Sequence, residues 1–353
     1  MDRILKIALF SAALWSLSGC DFVSQPDGDD DSVLQSSANT CAVKISDCDF
    51  SRDKVWQVVD PSGDTVALLT LEYIGKALGK QAVLVYTRGA DCRWRTDSVF
   101  VASVTLEQSG TTYRPPMECC SGGTLKYYPA DDAWFYNDIT KAVEDDFDTV
   151  FIKKETDGST QLKHNAVTED VANLIPLRLS LGGYEYPVVK VAGFLWTAEN
   201  VRSAIFPSGE MIPQSGSWSS RSALFGYSAD DRAGCLYNHY AALQLAPQGW
   251  HLPSGGSAGE WAVLTSFVDG ASDLKKSGTD ITGFSIVPAG RITSSGSRYE
   301  PDDDDCIFWS STIASETKAC FTKVYHKTVG NNVQYTSSTD MRSGFAVRLI
   351  KSF

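Results

Sequence analysis

The sequence predicts an α+β chain in two parts, an N-terminal antiparallel β domain followed by a domain of mixed strands and helix. Three observations lead there. The runs TVALLTLEYI (65–74), QAVLVYT (81–87) and SVFVASVTL (98–106) are rich in Val, Leu, Tyr and Thr and lie between Gly, Asp and Arg turns, as strands do. In the second half, SAGEWAVLTSFV (257–268) opens on a Ser257-x-x-Glu260 capping box and sets Trp261, Leu264 and Phe267/Val268 on one helical face. The stretch from residue 41 to 353 is longer than one typical domain and suits two.

In chain order, residues 1–19 read as a secretory signal. Arg3 and Lys6 precede the uncharged run IALFSAALWSLSG (7–19), which is too short to span a bilayer, a task that needs ~20 apolar residues. Residues 20–40 are polar and acidic and bury too little surface to offset ordering entropy, so they read as a leash. The β domain spans 41–178. Within it DITKAVEDDF (138–147) suggests a short helix capped by Asp138, and TVFIKK (149–154) another strand.

The second domain spans 179–353. PVVKVAGFLW (187–196) reads as a hairpin turning at Ala192-Gly193. CLYNHYAALQL (235–245) suggests a helix with Leu236, Tyr240 and Leu243 on one stripe. GFSIVPAG (283–290), CIFWSST (306–312), KACFTKVYH (318–326) and SGFAVRLI (343–350) suggest strands.

Charge narrows the partners. With 31 Lys+Arg against 43 Asp+Glu, the formal net charge is −12, which argues against nucleic acid, whose phosphates demand clustered cations. Nine cysteines are present; the eight after Cys20 form an even set, which in an exported chain suggests disulfides. Cys119 and Cys120 are neighbours and are expected to take separate partners. No spacing reads as a zinc site.

Two resemblances add to this. LSGC (17–20) resembles the lipobox of bacterial lipoproteins, which implies cleavage before Cys20 and acylation of Cys20, with membrane lipid as its partner and an outer-membrane or cell-surface location. FLWTAENV (194–201), LYNHYAA (236–242), PQGWHLPS (247–254), DITGFSIVPAG (280–290), FWSST (308–312) and GFAVRLI (344–350) resemble, in that order, the Fibrobacter succinogenes major paralogous domain. That family is similar to C-type-lectin-like folds and to formylglycine-generating-enzyme-type domains, which implies an α+β architecture for 179–353. The enzyme-type domains keep a redox-active Cys pair beside their terminal Gly-Phe-Arg strand. Here SGFAVRLI has no Cys, and Cys306 and Cys320 are expected to staple a strand-loop-strand instead.

Candidate site residues are few. His251, beside Trp250, is expected to be a buried scaffold histidine with a backbone partner, and no catalytic set stands out. The acidic run holding Asp302, Asp303, Asp304 and Asp305 could hold Ca2+, a hard cation, but a solvated acidic loop is the preferred reading. Trp196, Trp250, Trp261 and Trp309 are assigned to the core; Trp218, in a polar loop, is the one aromatic to test for a ligand, and the ligand-binding residues stay unassigned. The expected function is non-catalytic recognition or adhesion at the cell surface, towards a glycan or a protein. A fibre tip or accessory subunit and a formylglycine-generating-type enzyme are the alternatives.

Overall fold

The computed structural model describes residues 40–73, 81–100, 105–107, 110–112, 124–128, 133–137, 149–163, 170–213, 224–227, 233–299, 305–325 and 333–353. All of them fall in one compact unit, Ser37–Phe353.

The strand runs of the first half form a seven-stranded antiparallel sheet in the order Asn173–Pro176, Val55–Val59, Thr65–Tyr73, Gln81–Arg88, Trp94–Phe100, Thr124–Tyr128, Ala133–Asn137. A second sheet, Thr160–Lys163, Thr149–Lys154, Thr40–Lys44 and Asp170–Val171, lies against it. Val43 and Ile152 of the smaller sheet share a core with Val58, Ala67, Leu69, Leu71, Val83 and Val85 of the larger. Side chains alternate along a strand, so Leu68, Thr70 and Glu72 point to the opposite face, as do Leu84 and Tyr86. That face is dry as well: all five residues are buried. A strand covered on both faces loses the apolar–polar alternation, hence the unbroken TVALLTLEY.

What covers the second face is the C-terminal half. Its Tyr184–Val191 strand turns through Ala192 (φ 53°) and Gly193 (φ 81°) into Phe194–Thr197, in the expected hairpin. These strands pair into the sheet Arg178–Leu181, Tyr184–Val191, Phe194–Thr197, Ile350–Ser352. A charged chain of contacts ties the halves together. Lys190 Nζ lies 3.0 Å from Glu72 Oε2 and donates to Tyr86 Oη at 2.6 Å, and Tyr86 donates to Glu72 Oε1 at 2.8 Å. The apolar cores interleave too, since Val55 and Tyr73 pack into the clusters of the C-terminal half.

The α+β expectation is overturned. Among the described residues, only His239–Ala242 and Glu260–Phe267 are α-helix, against extended strands throughout; the fold is mostly β and sandwich-like. The C-type-lectin-like and formylglycine-generating-enzyme-like assignment falls with it. One helical expectation shrinks and another holds with a different cap, each for a local reason. In CLYNHYAALQL, Cys235–Tyr237 pairs with Leu224–Tyr227, and Tyr237 exchanges backbone bonds with Phe345. Asn238 then caps a single four-residue helix, leaving Leu243 exposed. The helix at 260 is real, with Trp261 and Leu264 buried, but Gly259 occupies its N-cap position. Its partner is not Ser257 but Ser254. Glu260 Oε2 accepts from Ser254 N at 2.7 Å, and Ser254 Oγ accepts from Glu260 N at 3.0 Å, so the capping exchange bridges the inserted GGSAG loop. The DITKAVEDDF expectation lies outside the described residues.

Two strand expectations also give way. Most of GFSIVPAG and SGFAVRLI forms isolated bridges or irregular backbone instead of strands; their apolar residues Phe284, Ile286, Val347 and Leu349 are buried, and Ile286, Val347 and Leu349 are tied by single backbone hydrogen bonds to Leu274, Val201 and Thr197. Trp196, Trp261 and Trp309 are fully buried and Trp250 is half-buried. Trp196 meets Trp261 at 5.2 Å and Phe284 at 5.3 Å.

The disulfide expectation is corrected for the described cysteines. No disulfide joins Cys41, Cys48, Cys92, Cys235, Cys306 and Cys320. Register excludes the Cys306–Cys320 staple: Cys306 faces Val324, and Cys320 lies four residues further along that strand. At ~3.4 Å per residue that offset is about 14 Å, beyond the ~7 Å Cα reach of a disulfide. Burial pushes the Cys235 thiol up to about 11 and raises that of Cys320, so both pack as small protonated hydrophobes. Cys119 and Cys120 lie outside the described residues.

Candidate functional site

A cleft of about 140 Å³ opens where the Ser51–Lys54 turn approaches the C-terminal half. Its floor is aliphatic, made by Pro187, Val188 and Val189 of the Tyr184–Val191 strand with Ala198 and Val287. Ser51, Arg52 and Lys54 form one wall; Lys276, Gly283 and Ser285 form the other, and Glu199 closes an end.

The sequence DFSRDK (49–54) builds the first wall. Asp49 Oδ1 accepts from Ser51 N at 3.1 Å and from Ser51 Oγ at 2.5 Å, and the Asp49 carbonyl accepts from Arg52 N and Asp53 N. Such an Asx turn reverses the chain at once. Arg52 is left mostly exposed, its side chain 71% accessible, while Lys54 runs inward and donates to the Phe50 carbonyl at 2.5 Å. Burial lowers the Lys54 pKa; Asp280, Asp49 and Asp53 only partly restore it.

The second wall is a strained loop. Asp280 (φ 44°) and Ser285 (φ 51°) both sit in the left-handed region without being glycine. The Asp280 carboxylate holds them there, accepting from Ser285 N at 2.8 Å and Ser285 Oγ at 2.5 Å. Burial raises the Asp280 pKa, against those hydrogen bonds and the nearby Lys54 and Arg348 charges. Between the two, Gly283 (φ 68°) packs directly on the Lys54 stem; a Cβ there would lie 3.0 Å from Lys54 Cε. Strain of this kind persists only where the surroundings enforce it, and it gathers at functional sites.

Arg348 does the enforcing. It is fully buried, and its guanidinium donates to Asn200 Oδ1 at 2.7 Å, to the Thr197 carbonyl at 2.7 Å, to the Phe284 carbonyl at 2.8 Å and to the Ser285 carbonyl at 3.2 Å. The Phe284 ring lies 4.8 Å beneath it. Burial lowers its pKa to about 9, with Glu199 and Asp280 opposing the shift. A planar five-donor group suits a task of gathering several carbonyls into one place. Arg348 is thus a positioning residue for the cleft wall.

The residues singled out in the sequence lie elsewhere. Cys20, Trp218, Asp302, Asp303 and Asp304 are outside the described residues; Asp305 begins the Asp305–Ser315 strand, opposite Tyr325. Among the described residues, no group of three His, Cys, Asp or Glu side chains is placed to hold a metal. His251 departs from the expectation of a buried ring on a backbone partner. Its side chain is 44% exposed, and Nε2 meets Glu260 Oε1 at 2.6 Å. Burial alone would raise the Glu260 pKa, but the bonds to His251 and Ser254 outweigh it and hold the carboxylate below its usual range. His239 is the buried histidine, with Nε2 2.8 Å from the Ser310 carbonyl.

Nothing in the sequence singles out Arg52, Lys54 and Lys276, which lie far apart in the chain. The one available signal was Arg348, a charged residue inside the apolar run SGFAVRLI. Residues 189–351 match the model of the Fibrobacter succinogenes major domain, so the strained loop, Arg348 and the Val189, Ala198 and Val287 part of the floor fall within the match, while Ser51–Lys54, Pro187 and Val188 do not. No curated protein and no solved structure matches the chain.

Proposed function

We propose, for a chain whose residues 189–351 are a Fibrobacter succinogenes major domain, a lipid-anchored module of the cell surface that binds its target without chemistry. The observation that carries this reading is the LSGC string closing an uncharged run behind Arg3 and Lys6, followed by an acidic leash. One acyl chain gives marginal attachment and several give a stable one, so a multiply acylated Cys20 suits a permanent tether. The cleft supports the binding half of the proposal. It is concave, preformed and lined by a few convergent polar groups over an aliphatic floor, the usual anatomy of a ligand site.

Fractionation of cells expressing the full sequence tests the anchor. Wild type is expected in the membrane fraction with radiolabelled palmitate incorporated, and Cys20→Ala in the soluble fraction without label. Membrane retention of unlabelled Cys20→Ala sinks the tether. A glycan array probed with the detergent-purified protein tests recognition, with binding to a restricted set of glycans expected.

A second reading, as a subunit of a surface fibre, is favoured by the Val333–Asp340 strand. It is an outer strand of its three-stranded sheet, with one neighbour among the described residues, and such an edge can accept a strand from another chain. Filaments that co-purify with the wild type and vanish when this edge carries a proline would select it.

A further inference from the structure

We infer that the cleft between Ser51–Lys54 and the 276–287 loop binds a carboxylate-bearing sugar, of the size of one uronic acid residue. This rests on the recognition reading and names the ligand class at that site.

The cleft holds positive charge without matching counter-charge. Three cations, Arg52, Lys54 and Lys276, face a single carboxylate, Glu199, in the lining, within a chain whose formal net charge is −12. The nearby carboxylates are already engaged. Glu199 accepts from Tyr184 Oη at 2.8 Å and from Arg202 Nη2 at 2.9 Å. Asp53 accepts a two-pronged contact from Arg178 at 2.9 and 2.7 Å, which leaves Arg52 only a 4.0 Å approach to it. Asp280 is turned onto Ser285.

The cations are not similarly engaged. Lys276 makes no side-chain hydrogen bond or ion pair among the described residues. Lys54 spends one of its three N–H donors on the Phe50 carbonyl. A carboxylate entering the cleft would meet those donors and offset with its charge the desolvation that weakens the Lys54 ammonium. Charge-assisted hydrogen bonds are the strong ones, and Arg52 can offer two in a plane.

Size and lining choose the rest of the ligand. About 140 Å³ admits a compact body rather than an extended chain. Pro187, Ala198 and Val287 give the apolar part of the lining that suits the C–H face of a pyranose, and the Ser51 and Ser285 hydroxyls, which donate to Asp49 and Asp280, keep lone pairs to accept from its hydroxyls. The lining joins both halves of the chain, so neither half alone would complete the site.

The test is binding of D-galacturonate and of D-galactose, its neutral counterpart, to the detergent-purified full-length protein by ligand-observed NMR and calorimetry. Galacturonate is expected to bind and galactose to bind at least tenfold more weakly, since one lost charge-assisted hydrogen bond is of that order. Lys276→Ala and Arg52→Ala, both at exposed positions, are each expected to weaken galacturonate about tenfold while leaving the urea midpoint unchanged. Oligogalacturonides that bind no tighter than the monosaccharide would place a single residue in the cleft; tighter binding would show a terminal residue of a polymer to be the natural source, and either supports the ligand class. Equal binding of galactose overturns the carboxylate requirement. Array glycans whose binding survives both substitutions overturn the cleft assignment but leave surface recognition standing. Competition by short acidic peptides, with no sugar bound, overturns the sugar.

Discussion

Removing the Lys190 ammonium should be among the most damaging single changes to this protein. Lys190 and Glu72 side chains are 8% and 9% exposed, and their charges sit 3.0 Å apart. At an effective dielectric of ~20, that separation is worth about 5–6 kcal/mol of gross attraction, largely offset by the desolvation of both groups. Lys190→Met removes the attraction and keeps the cost. The Glu72 carboxylate would stay buried with only the Thr70 and Tyr86 hydroxyls to meet it, at 2.5 and 2.8 Å. Such orphaned charges typically cost about 3–5 kcal/mol. Glu72→Gln should cost about 3 kcal/mol, because its carbonyl still accepts from both hydroxyls while the ammonium loses its counter-charge. The double variant leaves no buried charge, so its loss should fall at least ~2 kcal/mol short of the sum. Urea denaturation at pH 7, followed by both far-UV circular dichroism and Trp fluorescence, measures all four proteins. Because Glu72 and Lys190 lie in different halves, the two signals should coincide in wild type and separate in Lys190→Met. Single variants within 1 kcal/mol of wild type, or a strictly additive double, would refute the reasoning.

Gly283→Ala should lose about 1–2 kcal/mol, the cost of a left-handed Cβ, because its φ is 68° and its new methyl meets the Lys54 stem; an unchanged urea midpoint would contradict this. His239 is buried with a pKa lowered from 6.5 by desolvation, partly opposed by the Ser310 carbonyl, so the unfolded chain binds a proton that the folded chain refuses. Its contribution is neutral above about pH 6.5 and destabilising below, steepening to at most about 1.4 kcal/mol per pH unit, and His239→Gln should flatten the stability profile between pH 6.5 and 5. Mild oxidation followed by non-reducing peptide mapping should recover no Cys306–Cys320 linked peptide; a linked pair would mean that the strand register of this region is wrong.

The parts legible in sequence are those governed by local pattern. Thr65–Tyr73, Gln81–Arg88, Thr149–Lys154 and the hairpin at Ala192-Gly193 carry their own strand and turn chemistry, and the structure follows it. Trp261 and Leu264 betray their helix by spacing, although the cap had to be found six residues away at Ser254. The failures are non-local. In GFSIVPAG a single bridge at Ile286 replaces a ladder, and Arg348 gathers the Phe284 and Ser285 carbonyls around its guanidinium. Glu72 looks like the wet edge of a strand until Lys190 arrives from 118 residues away. The cleft is illegible for the same reason: its walls meet only after two sheets have packed, and no short window contains both a cation and the floor beneath it.

A sheet with two dry faces has no outside. If the chain were cut at 178/179, Leu68, Leu84 and Tyr86 would lose the cover of the C-terminal half, and Glu72 would lose its cation. A stretch expressed up to the cut would present a greasy, twisted plate to water, ready to adhere to its own kind. Anyone dividing this protein at that cut should therefore expect inclusion bodies from one fragment and a missing wall in the other.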